Sequence, residues 1–100
     1  MSTDPKFHMI IDDVFSIRNR GTVVTGKIDD GELKVGDEIK IIGINGEKTT
    51  TVTGIEAFRK VINLAKPGDR VGIILKDLSK DDVRRRDEII CPDSDSTGKP

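Results

Sequence analysis

The chain has 100 residues, with 17 basic and 18 acidic side chains and a formal net charge of −1. This length allows one domain with a small core, and the balanced charge argues against nonspecific duplex binding through phosphate neutralisation. A single histidine and a single cysteine leave no internal disulfide, no cysteine-based zinc site and no multi-histidine metal site. No apolar run is long enough for a membrane span or a signal peptide, so we expect a cytoplasmic protein without a metal or cofactor.

Composition divides the chain into three segments. Residues 1–6 are polar and are predicted to be a flexible N-terminal segment, whereas residues 92–100 contain no apolar side chain and are predicted to be a disordered tail. Residues 7–91 between them are rich in valine, isoleucine and threonine, and glycines interrupt them at intervals of about five to ten residues. This spacing predicts one domain of short strands joined by turns.

Six strands are predicted in this domain: Phe7–Ile17, Thr22–Ile28, Asp37–Ile44, Lys48–Phe58, Arg70–Lys76 and Asp87–Cys91. Asn45-Gly46 predicts a two-residue hairpin turn, because both residue types tolerate a positive φ. Pro67-Gly68 fits a type II turn, with proline at the second position and glycine at the third. Short strands with explicit turns and no crossover helices predict an all-β antiparallel barrel or sandwich.

Only Ser79–Arg86 is predicted to be helical, over about two turns. Ser79 is suited to cap the N-terminus, the aspartates after it to occupy the first turn, and the three arginines to lie at the end, where the helix dipole favours cations. The arginines and Lys80 could contact RNA phosphates. The acidic residues that flank them instead predict a surface that neutralises itself.

The first predicted hairpin has apolar side chains on both faces. Phe15 and Ile17 are two residues apart and therefore share one face of their strand. The candidates for the opposite face are Val14, Val24 and Ile28. One face fills the core, and the other is covered by another segment, such as residues 1–6 or Val61–Leu64, or is offered to a partner.

The length of the hairpin loop decides where Val23 points. A five-residue loop, Arg18–Thr22, pairs Ile17 with Val23 and places Phe15, Ile17 and Val23 in one apolar patch. A four-residue loop moves Val23 to the other face, since a slip of one residue inverts every side chain of a strand.

Four segments follow one another at regular spacing: DVFSIRNRGTVVTGKI at 13–28, LKVGDEIKIIGI at 33–44, TVTGIEAFRK at 51–60 and PGDRVGIIL at 67–75. Together they resemble the second domain of elongation factor Tu, and the resemblance extends from about residue 7 to residue 90. That family's domain is a closed antiparallel β-barrel. The resemblance therefore implies an all-β fold with a closed six-stranded antiparallel barrel over residues 7–91, and it favours the five-residue loop.

In this family the domain forms half of the pocket for the 3′-terminal adenosine and aminoacyl ester of aminoacyl-tRNA. A base has a flat apolar face and polar edges, which apolar side chains and a carboxylate can hold. By resemblance, apolar wall positions, the glutamate near the adenine and a neighbouring basic position fall on Phe15, Ile17, Val23, Ile74, Glu56 and Arg59. Asn19 and Arg20 lie in a loop that resembles a ribosome-facing turn.

Three residues stand where the family has glycine: Asn19, Asp77 and Asp87. Asparagine tolerates a positive φ better than most residues, so we expect the backbone at Asn19 to be preserved.

The 100 residues contain no GxxxxGK[ST] phosphate loop, so GTP binding by the family's mechanism is not expected. The sequence therefore predicts a stand-alone module that is not an enzyme and binds an RNA 3′ end or the ribosome weakly. The alternative is a protein-protein or self-association module that uses the same apolar patch, because exposed apolar patches commonly mark interaction sites.

Overall fold

A computed structural model of the protein describes residues 7–19, 21–44, 46–57 and 60–91. The predicted N-terminal segment and the predicted tail lie outside these residues. The strands are β1 Phe7–Ile10, β2 Asp13–Ile17, β3 Gly21–Gly31, β4 Leu33–Lys34, β5 Glu38–Gly43, β6 Gly46–Ala57, β7 Lys60–Ile62, β8 Leu64–Ala65, β9 Arg70–Leu75 and β10 Glu88–Cys91. A 3₁₀ turn, Lys80–Asp82, lies between β9 and β10.

Six strands close into an antiparallel barrel in the order β1-β10-β5-β6-β9-β3, and β3 returns to pair with β1. This confirms the predicted fold class. β2 continues the pairing along β3, and β7 adds to β6 outside the closed path. β4 and β8 pair separately and were not predicted, nor was β7; they arise where the chain crosses between barrel strands.

The first predicted strand, Phe7–Ile17, is interrupted at Ile11 and Asp12, which separate β1 from β2. The N–H of Ile11 donates to the Asp87 carbonyl at 2.9 Å, and the N–H of Asp12 donates to the Thr25 carbonyl at 2.7 Å. Successive backbone donors thus reach different neighbours. The prediction of one continuous strand is therefore wrong.

The interruption changes which side chains face the core. Phe7, Met9 and Ile11 are buried in the barrel, whereas Phe15 and Ile17 are exposed. All five positions are odd-numbered, so an unbroken strand would have put them on one face. The break turns Phe15 and Ile17 outward.

The β2–β3 hairpin ends with the pair Ile17–Gly21, so its loop spans three residues and both loop lengths expected from the sequence are wrong. Phe15 pairs with Val23. A three-residue loop differs from a five-residue loop by an even shift of register, and therefore the predicted patch of Phe15, Ile17 and Val23 still forms. Asn19 has a φ of 71°, which confirms that asparagine accepts this conformation.

The β5–β6 hairpin is present but differs from the prediction by one residue. Its last pair is Gly43 with Gly46, and Gly46 has a φ of 103°. Gly46 is therefore the first residue of β6 rather than the second residue of the turn, and Asn45 lies outside the described residues.

Four turns are closed by an aspartate at their last position. In each, the aspartate N–H donates to the carbonyl of the first residue at 3.0–3.2 Å. The N–H of that first residue donates to the aspartate carboxylate at 2.8–3.0 Å. These turns are Lys34–Asp37, Lys66–Asp69, Ser79–Asp82 and Arg84–Asp87. The second contains Pro67-Gly68 as predicted, and Gly68 has the positive φ, 91°, that a type II turn requires.

The predicted two-turn helix at Ser79–Arg86 is reduced to the 3₁₀ turn Lys80–Asp82. Ser79 caps it as predicted, because its hydroxyl accepts the Asp81 N–H at 3.3 Å, and its own N–H donates to the Asp82 carboxylate at 2.8 Å. Val83 then adopts an extended backbone and is buried in the core. We attribute the early end of the helix to this burial. If the helix continued for a second turn, Val83 would be part of it and its side chain would not reach the barrel core.

Two residues in this region adopt left-handed backbone. Asp77 has a φ of 59°, as expected for a residue at a glycine position. The second left-handed residue is Arg86, with a φ of 76°, and not the neighbouring Asp87 that the resemblance aligned with glycine. Asp87 instead supplies the carboxylate that closes the last turn.

The core shows which face of the first hairpin points inward, a choice that the sequence left open. Val24 and Ile28 are buried, and Val14 packs against the core while partly exposed. The remaining buried cluster is apolar and comes from all sides of the barrel: Phe7, Met9, Ile11, Leu33, Ile39, Ile41, Val52, Ile55, Ala65, Val71, Ile73, Leu75, Val83, Ile89 and Cys91.

Two buried threonines tie the segment after β9 to the barrel. Thr22 donates to the Leu78 carbonyl and Thr50 donates to the Lys76 carbonyl, each at 2.6 Å. Both hydroxyls therefore hold backbone carbonyls of this segment at the end of the barrel.

Candidate binding groove

A groove of about 480 Å³ runs over the outer face of β2, β3, β9 and β6. The groove follows from the register of these strands. Phe15 pairs with Val23, and Gly72 lies between Thr25 and Glu56 on the two neighbouring strands. Its lining residues are Phe15, Ile17, Val23, Thr25, Glu56, Arg70, Val71 and Gly72. The fold therefore brings together four of the six residues that the resemblance assigned to a pocket: Phe15, Ile17, Val23 and Glu56.

Gly72 forms the floor of the groove. A Cβ atom at this position would lie 3.3 Å from Cγ1 of Val23 and 3.7 Å from Cγ2 of Thr25. A side chain here would therefore fill the space between the walls. Because glycine has no side chain, the backbone at Gly72 is accessible, and a planar group can lie against it.

Phe15 and Ile17 form an apolar wall that is open to solvent, with exposed fractions of 45% and 39%. Val61–Leu64, one segment expected to cover them, does not do so; it forms β7 and β8, and Val61 is itself 71% exposed. The other expected cover, residues 1–6, lies outside the described residues. Among the residues that the structure describes, this apolar wall is accessible to a ligand.

Ile74, the remaining apolar residue of the predicted pocket, lies beside the groove and not in its lining. It pairs with Val23 on one side and Gly54 on the other, so it shares their outer face. Its Cδ1 atom would be 2.8 Å from a Cβ at Gly54, which shows that its side chain lies over that glycine. Ile74 thus extends the apolar row that begins at Phe15 and Val23.

The groove also carries charged side chains. Glu56 is half-buried on β6, between Gly72 and Val61 in the strand register. Arg70 donates from Nη1 to Oδ2 of Asp12 at 3.0 Å, and both partners are largely exposed. An apolar wall with a carboxylate and a guanidinium suits a ligand with one flat apolar face and polar edges.

Sequence reasoning missed Thr25, Arg70, Val71 and Gly72 as lining residues. Val71 is a buried residue whose alternation gives no signal for the groove. Thr25 is two residues from Val23, and Gly72 and Arg70 precede Ile74 by two and four residues. The period-two alternation of a strand could have identified all three, because it places these residues on the face of residues already singled out.

The other predicted contact residues are Arg59, Arg20 and Asn19. Arg59 and Arg20 lie outside the described residues, so their roles stay predictions. Asn19 is exposed in the three-residue loop beyond β2 and does not line the groove.

In the described ranges no group of three or more histidine, cysteine, aspartate or glutamate side chains could hold a metal ion. Within the same ranges, no helix has the length and apolar character that a membrane crossing requires. His8 contacts Asp29 at 3.1 Å and Glu88 at 3.9 Å, on β1 and apart from the groove.

A comparison with protein-family models matches residues 21–89 to the family described as Elongation factor Tu domain 2. The match covers more than half of the 100 residues and runs from β3 into β10. It includes the groove residues Val23 and Glu56, whereas Phe15 and Ile17 on β2 precede it.

Proposed function

We propose, because the chain belongs to the elongation factor Tu domain 2 family, that it is a non-catalytic binding module of the translation apparatus. Its outer groove takes the aminoacylated 3′ end of a tRNA. The observation that carries this proposal is the joining of Phe15, Ile17, Val23 and Glu56 in one open groove. The β2–β3 loop, with Asn19 and Arg20, is the part we assign to a ribosome contact.

The groove's chemistry supports a terminal adenosine as the ligand. The adenine ring can lie over Gly72 and pack on Phe15, because aromatic rings stack on bases irrespective of sequence. The Glu56 carboxylate can accept hydrogen bonds from the ribose hydroxyls or the adenine amino group. Ile17 and Val23 then provide an apolar surface for the aminoacyl side chain.

The expected affinity is low. The groove is shallow and offers few exposed apolar side chains, so little surface is buried to offset the loss of translational and rotational freedom. We expect a Kd on the order of 0.1–1 mM.

An amide NMR titration of the labelled protein tests the proposal. The ligands are a short acceptor-stem RNA whose 3′ end carries an amide-linked amino acid, which resists hydrolysis, and the same RNA without the amino acid. We expect shifts at Phe15, Ile17, Val23, Glu56 and Ile74 that are larger for the aminoacylated RNA. Equal shifts confined to arginine-containing segments would instead indicate generic phosphate contact, and no shifts at millimolar RNA would exclude the tRNA function.

Two variants at exposed isoleucine and phenylalanine positions sharpen the test. Phe15→Ala removes the aromatic wall and should weaken binding of the aminoacylated RNA about fivefold to 150-fold, since one base–aromatic stack contributes about 1–3 kcal/mol. Ile44→Ala is the matched control, because Ile44 is 83% exposed and lies outside the groove. Equal affinities of the two variants would contradict a role for the groove.

A second candidate function is favoured by the exposure of the apolar wall. Phe15 and Ile17 share the outer face with Val61, which pairs with Glu56. Such a surface can bind a protein or a second copy of the chain without any RNA. Ionic strength separates the two functions, because RNA binding weakens steeply with added salt whereas apolar association persists or strengthens.

A further inference from the structure

A second groove, of about 430 Å³, shares no lining residue with the first. It lies between β2 and the segment that follows the 3₁₀ turn. Its lining residues are Asp13, Val14, Lys80, Val83, Arg84 and Arg85. One wall is therefore a β-strand, and the other carries three cationic side chains.

The strand on the first wall ends its sheet. β2 is the last member of the strand order, and within the described residues it pairs only with β3. Four of its five residues are exposed. A strand in this position presents backbone donors and acceptors along one edge, which is the surface to which another extended segment can add.

The cations on the opposite wall have few partners among the described residues; Arg85 donates from Nε to the backbone carbonyl of Asp12 at 3.1 Å. The carboxylates of Asp82 and Asp87 accept backbone N–H groups of Ser79 and Arg84, at 2.8 and 2.9 Å, and close turns. Within the described residues no ion pair joins Lys80, Arg84 or Arg85 to an acidic side chain. The groove's own carboxylate, Asp13, accepts the N–H of Val14 at 3.0 Å.

We propose that this groove binds an extended acidic peptide segment of a partner protein, which adds as a strand to the outer edge of β2 and displaces the Asp13 carboxylate from the Val14 N–H. Glutamate or aspartate side chains of the peptide then meet Lys80 and Arg84, while its alternate side chains face the apolar surface of Val14 and Val83. The strand edge favours a peptide over RNA, because it requires a ligand backbone that both donates and accepts hydrogen bonds. This inference is independent of the tRNA function, since the two grooves have separate linings.

The probe is an octapeptide of alternating valine and glutamate with blocked ends, titrated into the labelled full chain. We expect amide shifts in Asp13–Ile17 and Lys80–Arg85, and none around Glu56. Two N-methylated forms of the same peptide, methylated at odd or at even positions, test for strand addition. One form should lose binding and the other should retain it, because only one edge of the added strand pairs with β2.

Charge variants test the second wall. Lys80→Gln with Arg84→Gln should weaken binding of the probe about threefold to thirtyfold, as expected for the loss of two partly exposed ion pairs. The matched control is Lys27→Gln with Lys66→Gln, which removes the same charge from exposed positions outside this groove and should leave the affinity unchanged. Asp13→Asn should strengthen binding by removing the groove's negative charge.

Several outcomes would overturn the proposal. Equal binding of both N-methylated peptides would show that the edge of β2 does not pair with the ligand. Shifts at the same residues with an octamer of uridylate, but none with the acidic peptide, would assign the cations to RNA instead. Absence of peptide binding in a wild-type protein whose spectrum is well dispersed would also reject it.

Discussion

Arg86 occupies a backbone conformation that suits glycine. Its φ of 76° brings the Cβ atom close to the neighbouring carbonyl, which costs a non-glycine residue about 1–2 kcal/mol. Glycine avoids this cost but loses more conformational entropy on folding. We therefore predict that Arg86→Gly raises the free energy of unfolding by about 0.5–1 kcal/mol, measured by urea denaturation.

Arg84→Gly is the matched control for this prediction. It makes the same chemical change in the same turn, at a residue that is not left-handed. Its expected effect is a loss of about 0.5–1 kcal/mol from the added chain entropy alone. If both variants lost stability equally, left-handed strain at Arg86 would not be the relevant factor.

At the scale of the elements, the aspartate-closed turns determine how the chain enters β5, β9 and β10. The hydrogen bond from the Ser79 backbone N–H, with a smaller contribution from its hydroxyl, lowers the pKa of Asp82 below its ordinary value of 3.8. Because the folded-state pKa is the lower one, this carboxylate contributes its full stability above pH 3.8. The contribution is lost as the pH falls through the lowered pKa.

We therefore predict that Asp82→Asn is less stable than the wild type at neutral pH and that the difference shrinks below pH 3.8. Urea midpoints measured from pH 6 to pH 2.5 would test this. Asp81→Asn is the control at the exposed neighbouring position. Between pH 6 and pH 2.5, its urea midpoint should change by about as much as the midpoint of the wild type does. Parallel pH curves for Asp82→Asn and the wild type would contradict the role of this turn.

At the scale of the whole molecule, the barrel closes where β3 passes beneath the junction of β1 and β2. A Cβ on Gly26 would collide with the Ile10 carbonyl oxygen and lie 3.0 Å from Cε of Met9. The carbonyl belongs to backbone and cannot rotate away. We predict that Gly26→Ala lowers the free energy of unfolding by about 1–3 kcal/mol, as overpacking typically does.

Gly54→Ala controls for the loss of a glycine within a barrel strand. Its Cβ would meet only the end of the Ile74 side chain, which can change rotamer at a cost of about 0.5–1.5 kcal/mol. Thermal or urea unfolding should therefore rank Gly26→Ala as the less stable variant. The reverse order would place the tightest packing away from the barrel closure.

Much of the fold could be predicted because strand alternation and turn chemistry act over a few residues. Phe15 and Ile17 share one face and Val24 and Ile28 share another, as the period of two requires, whereas the length of the hairpin loop placed Val23 with Phe15 and Ile17. The ends of elements were predicted less well. The helix at Ser79 stops early because Val83 is drawn into a core that it shares with distant strands.

The sequence by itself predicted six short strands in an antiparallel barrel or sandwich, because strands and turns depend on local periodicity and turn residues. The resemblance to the second domain of elongation factor Tu added the closure of the barrel and the grouping of the apolar patch, and the spatial order of the strands came from the tertiary structure. Only the tertiary structure decided that this patch faces outward. Contacts of Ile11 and Asp12 with Asp87 and Thr25 interrupt the first strand and rotate β2 relative to β1. Those partners are remote in sequence. The groove exists because their hydrogen bonds interrupt the alternation of inward and outward side chains that one continuous strand would have.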